Sequence, residues 1–374
     1  MKIQDLPTPS LIVDAPRVRA NTAAMRTRID GHGISLRPHA KTAKSVDVAR
    51  LALGGEPGGL TVSTLAEADY FLGHGITDLV YAVCVVPSKL DAVQALMNRG
   101  ADLKLITDNV EVGRAIAAHG APFRVLVEID SGEHRTGVAA ADSALPEIAA
   151  AVAAGGSAAR IDGGLTPAGH SYASRSAAEA ADIAEAERAA AVLAAERLRT
   201  AGFATPIISV GSTPTATHAR SLAGVTEARP GVYVFQDLFQ AAIGSCGLDD
   251  IALSVLASVI GHNRERPALM LDAGGLALSK DRSTGALEGA GDCGFGLVCD
   301  LDGNPLDGMT VGNVHQEHGE VRLGDAAILE RFPVGAKVRV LPNHACMTAA
   351  AYDRYHVTDG GGEITATWTR CNGW

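Results

Sequence analysis

The chain has 374 residues, 32 Lys and Arg against 42 Asp and Glu, and a formal net charge of −10. That length predicts about two domains, since single cores stop growing near ~250–300 residues, and a composition 47% hydrophobic and 20% charged buries a substantial core. The acidic balance, without a basic stripe, a signal-like leader or a run of ~20 apolar residues, argues against a nucleic-acid or membrane partner and predicts a soluble cytoplasmic protein.

From residue 34 to about 240, short β-rich runs alternate with helical stretches. The strands are expected at Ile34–His39, Leu60–Ser63, Leu79–Val83, Leu103–Thr107, Arg124–Ile129, Ile161–Thr166, Ile207–Val210 and Val225–Arg229. Between them lie Ala-rich helical segments such as Val46–Leu53, Leu65–His74 and Ala177–Ala201, the last dense in the strong helix formers Ala and Glu. Such alternation implies right-handed βαβ units and a parallel sheet. About eight repeats in ~200 residues predict a (β/α)₈ barrel of TIM type. No GxGxxG follows the first strand, which weakens a dinucleotide-binding alternative.

After about residue 250 the long helices vanish. β-patterned pieces follow at Ala252–Ile260, Ala268–Leu271, Gly296–Asp300, Gly319–Leu323, Lys337–Leu341 and Ile364–Thr369, punctuated by Gly- and Asp-rich turns. This predicts an antiparallel β domain over 246–374 behind a barrel over 8–245. Residues 1–7 and the first strand are free to pair with either.

Six cysteines, Cys84, Cys246, Cys293, Cys299, Cys346 and Cys371, contain no CxxC pair and form no disulfide framework. Cys84, inside the apolar run Tyr81–Val86, reads as a small buried hydrophobe.

Barrel chemistry sits at the C-terminal ends of the strands. There the first strand ends in Arg37-Pro-His-Ala-Lys41, the fifth in Glu128-Ile-Asp130 followed by Ser131-Gly-Glu-His-Arg135, and the sixth in Leu165-Thr-Pro-Ala-Gly169-His-Ser-Tyr172. The seventh ends in Gly211-Ser212-Thr213-Pro214 and the eighth in Arg229-Pro-Gly231-Val232. Lys41 is either a solvated lysine or an amine whose pKa is lowered by cations such as Arg37 and which forms a Schiff base. Gly211-Ser-Thr is a common turn by itself. Together with Gly231 it makes a backbone and hydroxyl cup for a phosphate, and lysine plus cup is what pyridoxal phosphate needs.

In the second domain, His344 and Cys346 stand at i, i+2 on an extended segment. Imidazole and thiolate suit Zn²⁺ with open positions left for substrate; the alternative is a buried thiol beside a polar histidine. Upstream, His315 and His318 are outer groups, acid–base candidates or plain loop residues.

The segments Leu36–Thr42, Thr61-Val-Ser-Thr-Leu65, Ser209–Thr215, Gly231–Phe235 and Leu341–Cys346 together resemble the D-serine dehydratase/D-threonine aldolase family, metal-activated pyridoxal-phosphate enzymes with an alanine-racemase-like barrel of fold type III. The resemblance runs from Thr8 to Trp374. It implies a barrel carrying the cofactor and a β domain carrying the metal, with the active site between them in a homodimer. On it, Lys41 is the Schiff-base lysine, and His344 and Cys346 hold zinc, with Mn²⁺ or another divalent ion as the alternative. Ser212, Thr213, Gly231 and Val232 fall where the phosphate is held. Arg135 approaches the cofactor ring, Arg229 faces its nitrogen, Tyr172 belongs to the sixth-strand motif, and His318 is a catalytic acid–base candidate. Pro167 stands where relatives carry a histidine, which His170 is placed to replace in part.

The implied reaction is dehydration of a D-β-hydroxy amino acid, such as D-serine or D-threo-3-hydroxyaspartate, to a 2-oxo acid and ammonia. The aldolase reaction is the nearest competitor. Family aldolases present His-x-Asp, an oxygen ligand for harder ions, where this chain has Cys346. A racemase, which needs a second opposed base, and a non-catalytic pyridoxal-phosphate carrier are the remaining readings.

Overall fold

The computed structural model describes residues 1–56, 58–156, 158–287 and 291–374. They form two compact units: residues 23–231 with 371–374, and residues 1–22 with 232–370. No helix among them is long and apolar enough to cross a membrane.

The first unit is built on parallel strands. Ser35–Leu36, Glu227–Ala228, Ile207–Val210, Arg160–Leu165, Arg124–Asp130, Asp102–Thr107, Asp78–Tyr81 and Leu60–Val62 pair in that order. A parallel bridge from His39 to Thr61 joins the continuation of the first strand to the last. Helix bounds follow local chemistry. Val46–Leu53 ends at Gly54, whose φ of 66° places it in the left-handed region that glycine tolerates. Ala177–Thr200 starts where the Ser176 hydroxyl accepts the Glu179 amide and ends with Arg197 and Arg199 in its last turn. Its buried face is almost all alanine, which lets the helix lie close to the strands; the exceptions are Glu187 and Leu198.

Two ends of this sheet differ in chemistry. At the strand starts, Arg37 Nε meets Glu227 at 2.7 Å and its two terminal nitrogens meet Asp78 at 2.9 and 3.0 Å. Lys104 bridges Asp78 and Asp102 at 2.6 and 2.8 Å, and Arg124 continues to Asp102 and Asp162. Desolvating these ions is costly, and the continuous chain of partners offsets it. Arg37 is therefore not the cation expected to act on Lys41: its guanidinium is committed to two carboxylates.

The second unit is an antiparallel barrel of six strands. Ala268–Leu271, Gly319–Arg322, Pro305–Val314, Gly296–Cys299, Lys337–Pro342 and Leu253–Asn263 pair in order, and the last returns to the first. Ser10–Asp14 adds antiparallel to Leu253–Asn263 and parallel to Arg354–Thr358, with Ile364–Thr369 outside. So the N-terminal strand and residues 232–245 group with the β unit, although the sequence assigned 8–245 to the barrel. Backbone pairing along Ile12 and Val13, both fully buried, draws that strand there. Pro305–Val314 escaped the sequence pattern because Asp307-Gly308 interrupts it, with Gly308 at φ 67°.

Candidate active site

The strand ends of the first unit enclose a cavity of about 410 Å³ that gathers Lys41, Arg135, Tyr172, Ser212, Arg229 and Gly231 from five separate loops. Lys41 is exposed, and its backbone N–H donates to His39 Nδ1 at 3.4 Å. His39 lines the same cavity; burial, with Lys41 and Arg229 alongside, holds its imidazole well below the ordinary range, so it is neutral.

The expected phosphate turn is pre-shaped. Ser212 Oγ accepts the Thr215 amide at 3.2 Å and meets Ser171 Oγ at 2.7 Å, and the Ser212 amide donates back to Thr215 Oγ1 at 3.0 Å. Gly211 sits at φ 124°, where a Cβ would come within 2.7 Å of the Arg229 amide. At Gly231 a Cβ would stand 3.1 Å from the His39 carbonyl. Both glycines are thus needed for the close approach of the neighbouring loop. Hydroxyls, glycine backbone and lysine in one cavity fit a phosphate-bearing aldehyde cofactor. Thr213 is fully buried and does not line the cavity; Val232 is buried and opens the 3₁₀ turn Val232–Val234 in the β unit.

Arg229 donates to Ser209 Oγ and to the Thr166 carbonyl, the latter at 2.6 Å. Burial pulls its guanidinium down to about 10, against the opposing pull of Glu227 and Glu187. Glu187, unforeseen in the sequence, accepts the Gly211 amide at 2.7 Å and the Thr166 hydroxyl at 2.8 Å, tying two strand ends together behind the turn. Burial raises its carboxyl. Its only sequence signal was a charge on an otherwise apolar helix face.

Cys84 corrects the reading of a plain buried hydrophobe. It is half-buried, lines the cavity, and donates its thiol to Glu128 at 2.8 Å and to Asp108 at 3.5 Å. These three side chains converge closely enough to surround a cation. Burial and both carboxylates push the thiol pKa up, so it stays protonated and acts as a donor. Glu128 also accepts the Thr136 hydroxyl, and Asp108 the Gly137 amide. Arg135 pairs with Glu133 at 2.8 Å and is more than half exposed. Pro167 lines the cavity; His170 does not, and its buried Nδ1 has no hydrogen-bond partner among the described residues.

In the β unit, the segment 342–346 is held on several sides. Asn343 is fully buried; its amide nitrogen donates to Thr284 Oγ1 at 2.6 Å and to the Gly294 carbonyl at 2.8 Å. The Ala345 amide donates to buried Asp237 at 3.0 Å. His344 Nδ1 meets Asp281 Oδ2 at 2.6 Å, and its ring also hydrogen-bonds Cys346. Burial lowers the His344 pKa, but Cys346, Asp281 and Asp237 outweigh it and raise the value to about 11. An imidazole backed by a carboxylate and standing beside a thiol is a nitrogen–sulfur donor pair that fits zinc. His318 is exposed, at the turn between Pro305–Val314 and Gly319–Arg322, where its carbonyl accepts the His315 amide.

Residues 13–238 match the alanine racemase N-terminal domain, and residues 252–358 match a putative serine dehydratase domain. The chain is 45% identical to the D-threo-3-hydroxyaspartate dehydratase of Delftia sp. strain HT23, covering 99% of this chain and 98% of that one. It is 32% identical to a D-serine dehydratase of Schizosaccharomyces pombe, covering 100% and 93%. The solved Delftia structure superposes with a TM-score of 0.96 at 44% identity over the full length of both chains. A cysteine-to-alanine mutant of that enzyme is known in a metal-free form.

Proposed function

The chain belongs to the D-serine dehydratase/D-threonine aldolase family of alanine-racemase-like pyridoxal-phosphate enzymes, and on that premise we propose that it is a dehydratase of D-β-hydroxy amino acids. D-threo-3-hydroxyaspartate and D-serine are the first substrates to consider, given what the relatives are named for. The products are the 2-oxo acid and ammonia. The observation that carries the reading is the gathering of Lys41, Ser212, Arg229 and Gly231 around one cavity. We also read the first unit as a (β/α)₈ barrel, supported by the His39–Thr61 bridge between the end strands of the row.

When bound, pyridoxal phosphate would supply an electron sink for charge at Cα, and a divalent ion held by His344 and Cys346 would supply Lewis acidity toward the β-oxygen. Ser212, Gly231 and their neighbours would hold its phosphate. Lys41 Nζ, at the cavity mouth, takes up the Cα proton. Neutral His39 adds no positive charge of its own beside Lys41. Arg229, held by Ser209 and Thr166, lends positive potential to the cavity floor. Cys346 favours dehydration over the aldolase reaction, since a thiolate selects softer ions than an oxygen ligand.

A homodimer is part of the proposal, supported by exposed apolar Val83 and Val86 near the cavity and Met347 beside Cys346; light scattering of the holoenzyme tests it. The reaction is tested with D-serine, both D-3-hydroxyaspartate diastereomers and D-threonine. Release of 2-oxo acids, including 2-oxobutanoate from D-threonine, supports the dehydratase; glycine and acetaldehyde from D-threonine overturn it in favour of the aldolase. Borohydride reduction of the holoenzyme followed by peptide mapping should place the cofactor label on Lys41.

A further inference from the structure

We propose that Asp281 is the positioning residue of the metal pair: it aims the His344 ring so that Nε2 faces the ion beside Cys346. The inference rests on the reading of His344 and Cys346 as metal ligands and deepens it.

The backbone of the ligand segment is anchored without help from Asp281. Asn343 is tied to Thr284 and Gly294 by its side chain, its carbonyl accepts the Phe239 amide at 3.3 Å, and the Ala345 amide is held by Asp237. These contacts set where the His344 Cα stands. They do not set its side-chain torsions, and an imidazole on a fixed Cα can still turn its nitrogens away from a ligand position. Asp281 supplies the missing constraint. Its Oδ2 lies 2.6 Å from His344 Nδ1, and its Oδ1 accepts the Ser283 hydroxyl at 2.7 Å. An ionised carboxylate only accepts hydrogen bonds, so Nδ1 is the ring nitrogen that donates to Asp281 and Nε2 is the one left to face an ion. Metal-ligating histidines are oriented in this way, by a carboxylate on the ring nitrogen that does not meet the ion.

The loop that presents Asp281 is built at a cost. Ser279 lies at φ 68° and ψ 165°, a region populated almost only by glycine. Its Oγ accepts the Asp281 amide at 2.9 Å, so the strained residue itself holds the Asp281 backbone. Strain of this kind persists where surrounding contacts over-determine it. Here one contact of the loop, from Asp281, reaches His344.

The test uses the pyridoxal-phosphate holoenzyme, stripped of metal and titrated with Co²⁺ and Zn²⁺ against a chelating dye. Thiolate-to-cobalt charge transfer reports ligation by Cys346. In Asp281→Ala, metal affinity should fall about 10- to 100-fold, while cofactor content and the melting temperature of the metal-free form stay at wild-type values. Asp281→Asn keeps an acceptor without the charge and should fall between the two. Unchanged affinity in Asp281→Ala, with His344→Ala abolishing binding, overturns the positioning role and leaves the metal pair standing. A wild-type protein that shows no charge-transfer band overturns the metal reading itself. If Asp281→Ala lowers the metal-free melting temperature, Asp281→Asn decides: wild-type affinity in that variant overturns the proposal, and weakened affinity at wild-type melting temperature supports it.

Discussion

The two units assemble their chemistry in opposite ways. In the parallel unit, Lys41, Arg135, Tyr172, Ser212 and Arg229 come from loops up to nearly two hundred positions apart and meet only because the strand order brings their ends together. In the β unit, the candidate ligands His344 and Cys346 are two residues apart on one segment, and distant residues such as Asp237, Thr284 and Gly294 serve to hold that segment still. A dispersed site depends on the whole sheet; a compact one depends on its immediate supports. Substitutions in the sheet should therefore disturb one site broadly, while substitutions around 342–346 should disturb the other selectively.

The sharpest break is expected at Lys41. Lys41→Ala should lower 2-oxo acid release by at least about 10⁴-fold while circular dichroism stays native, because proton transfer at Cα loses its base. Turnover near wild type in that variant would remove the dispersed site from the chemistry. Next, Cys346→Ala, or chelation of the wild-type enzyme, should reduce dehydration by about 10³-fold, in keeping with several kcal/mol of Lewis-acid assistance. Borohydride labelling of Lys41 should persist in both cases; its loss would mean that the two sites are not separable.

A third expectation concerns the frame of the sheet. Gly163 lies at φ 135°, and a Cβ there would stand 1.8 Å from the Ile207 carbonyl on the adjacent strand. Gly163→Ala should destabilise the chain by about 3 kcal/mol in urea unfolding and weaken cofactor binding before metal binding. The smallest effect is electrostatic. Folded His39 is held neutral by burial beside Lys41 and Arg229, whereas the unfolded chain takes up its proton below about pH 6.5. Stability from this residue is therefore present above that pH and is lost as pH falls through it. His39→Gln should flatten the acid side of the stability curve by less than about 1 kcal/mol, read from urea midpoints at neutral and mildly acidic pH.

Much of the fold was legible because period-2 and period-3.6 patterns are local. The expected bounds of Ile207–Val210, Ala268–Leu271, Ile364–Thr369 and the helix Val46–Leu53 coincide with those observed. Pro305–Val314 and Arg354–Thr358 escaped notice, the first through its Asp-Gly interruption and the second through its short mixed pattern between charged turns. Lys41, Ser212 and the His344–Cys346 pair could be singled out since each stands in a conspicuous local motif. Glu187, Cys84, Asp108 and Glu128 have no such motif: a carboxylate on a helix and a thiol in an apolar run look ordinary until their partners are known.

By itself, then, the order of residues determined where most strands and helices lie, which strand ends carry polar groups, and that an imidazole and a thiol stand two positions apart. Only the tertiary structure decided that Arg37 spends its charge on Glu227 and Asp78, that Cys84 hydrogen-bonds two acids, that Glu187 braces Gly211, and that Asp281 stands behind His344. The reason is physical: alternation along a strand tells which face a side chain takes, but the charge or donor it meets there belongs to a neighbour chosen by sheet order and loop path.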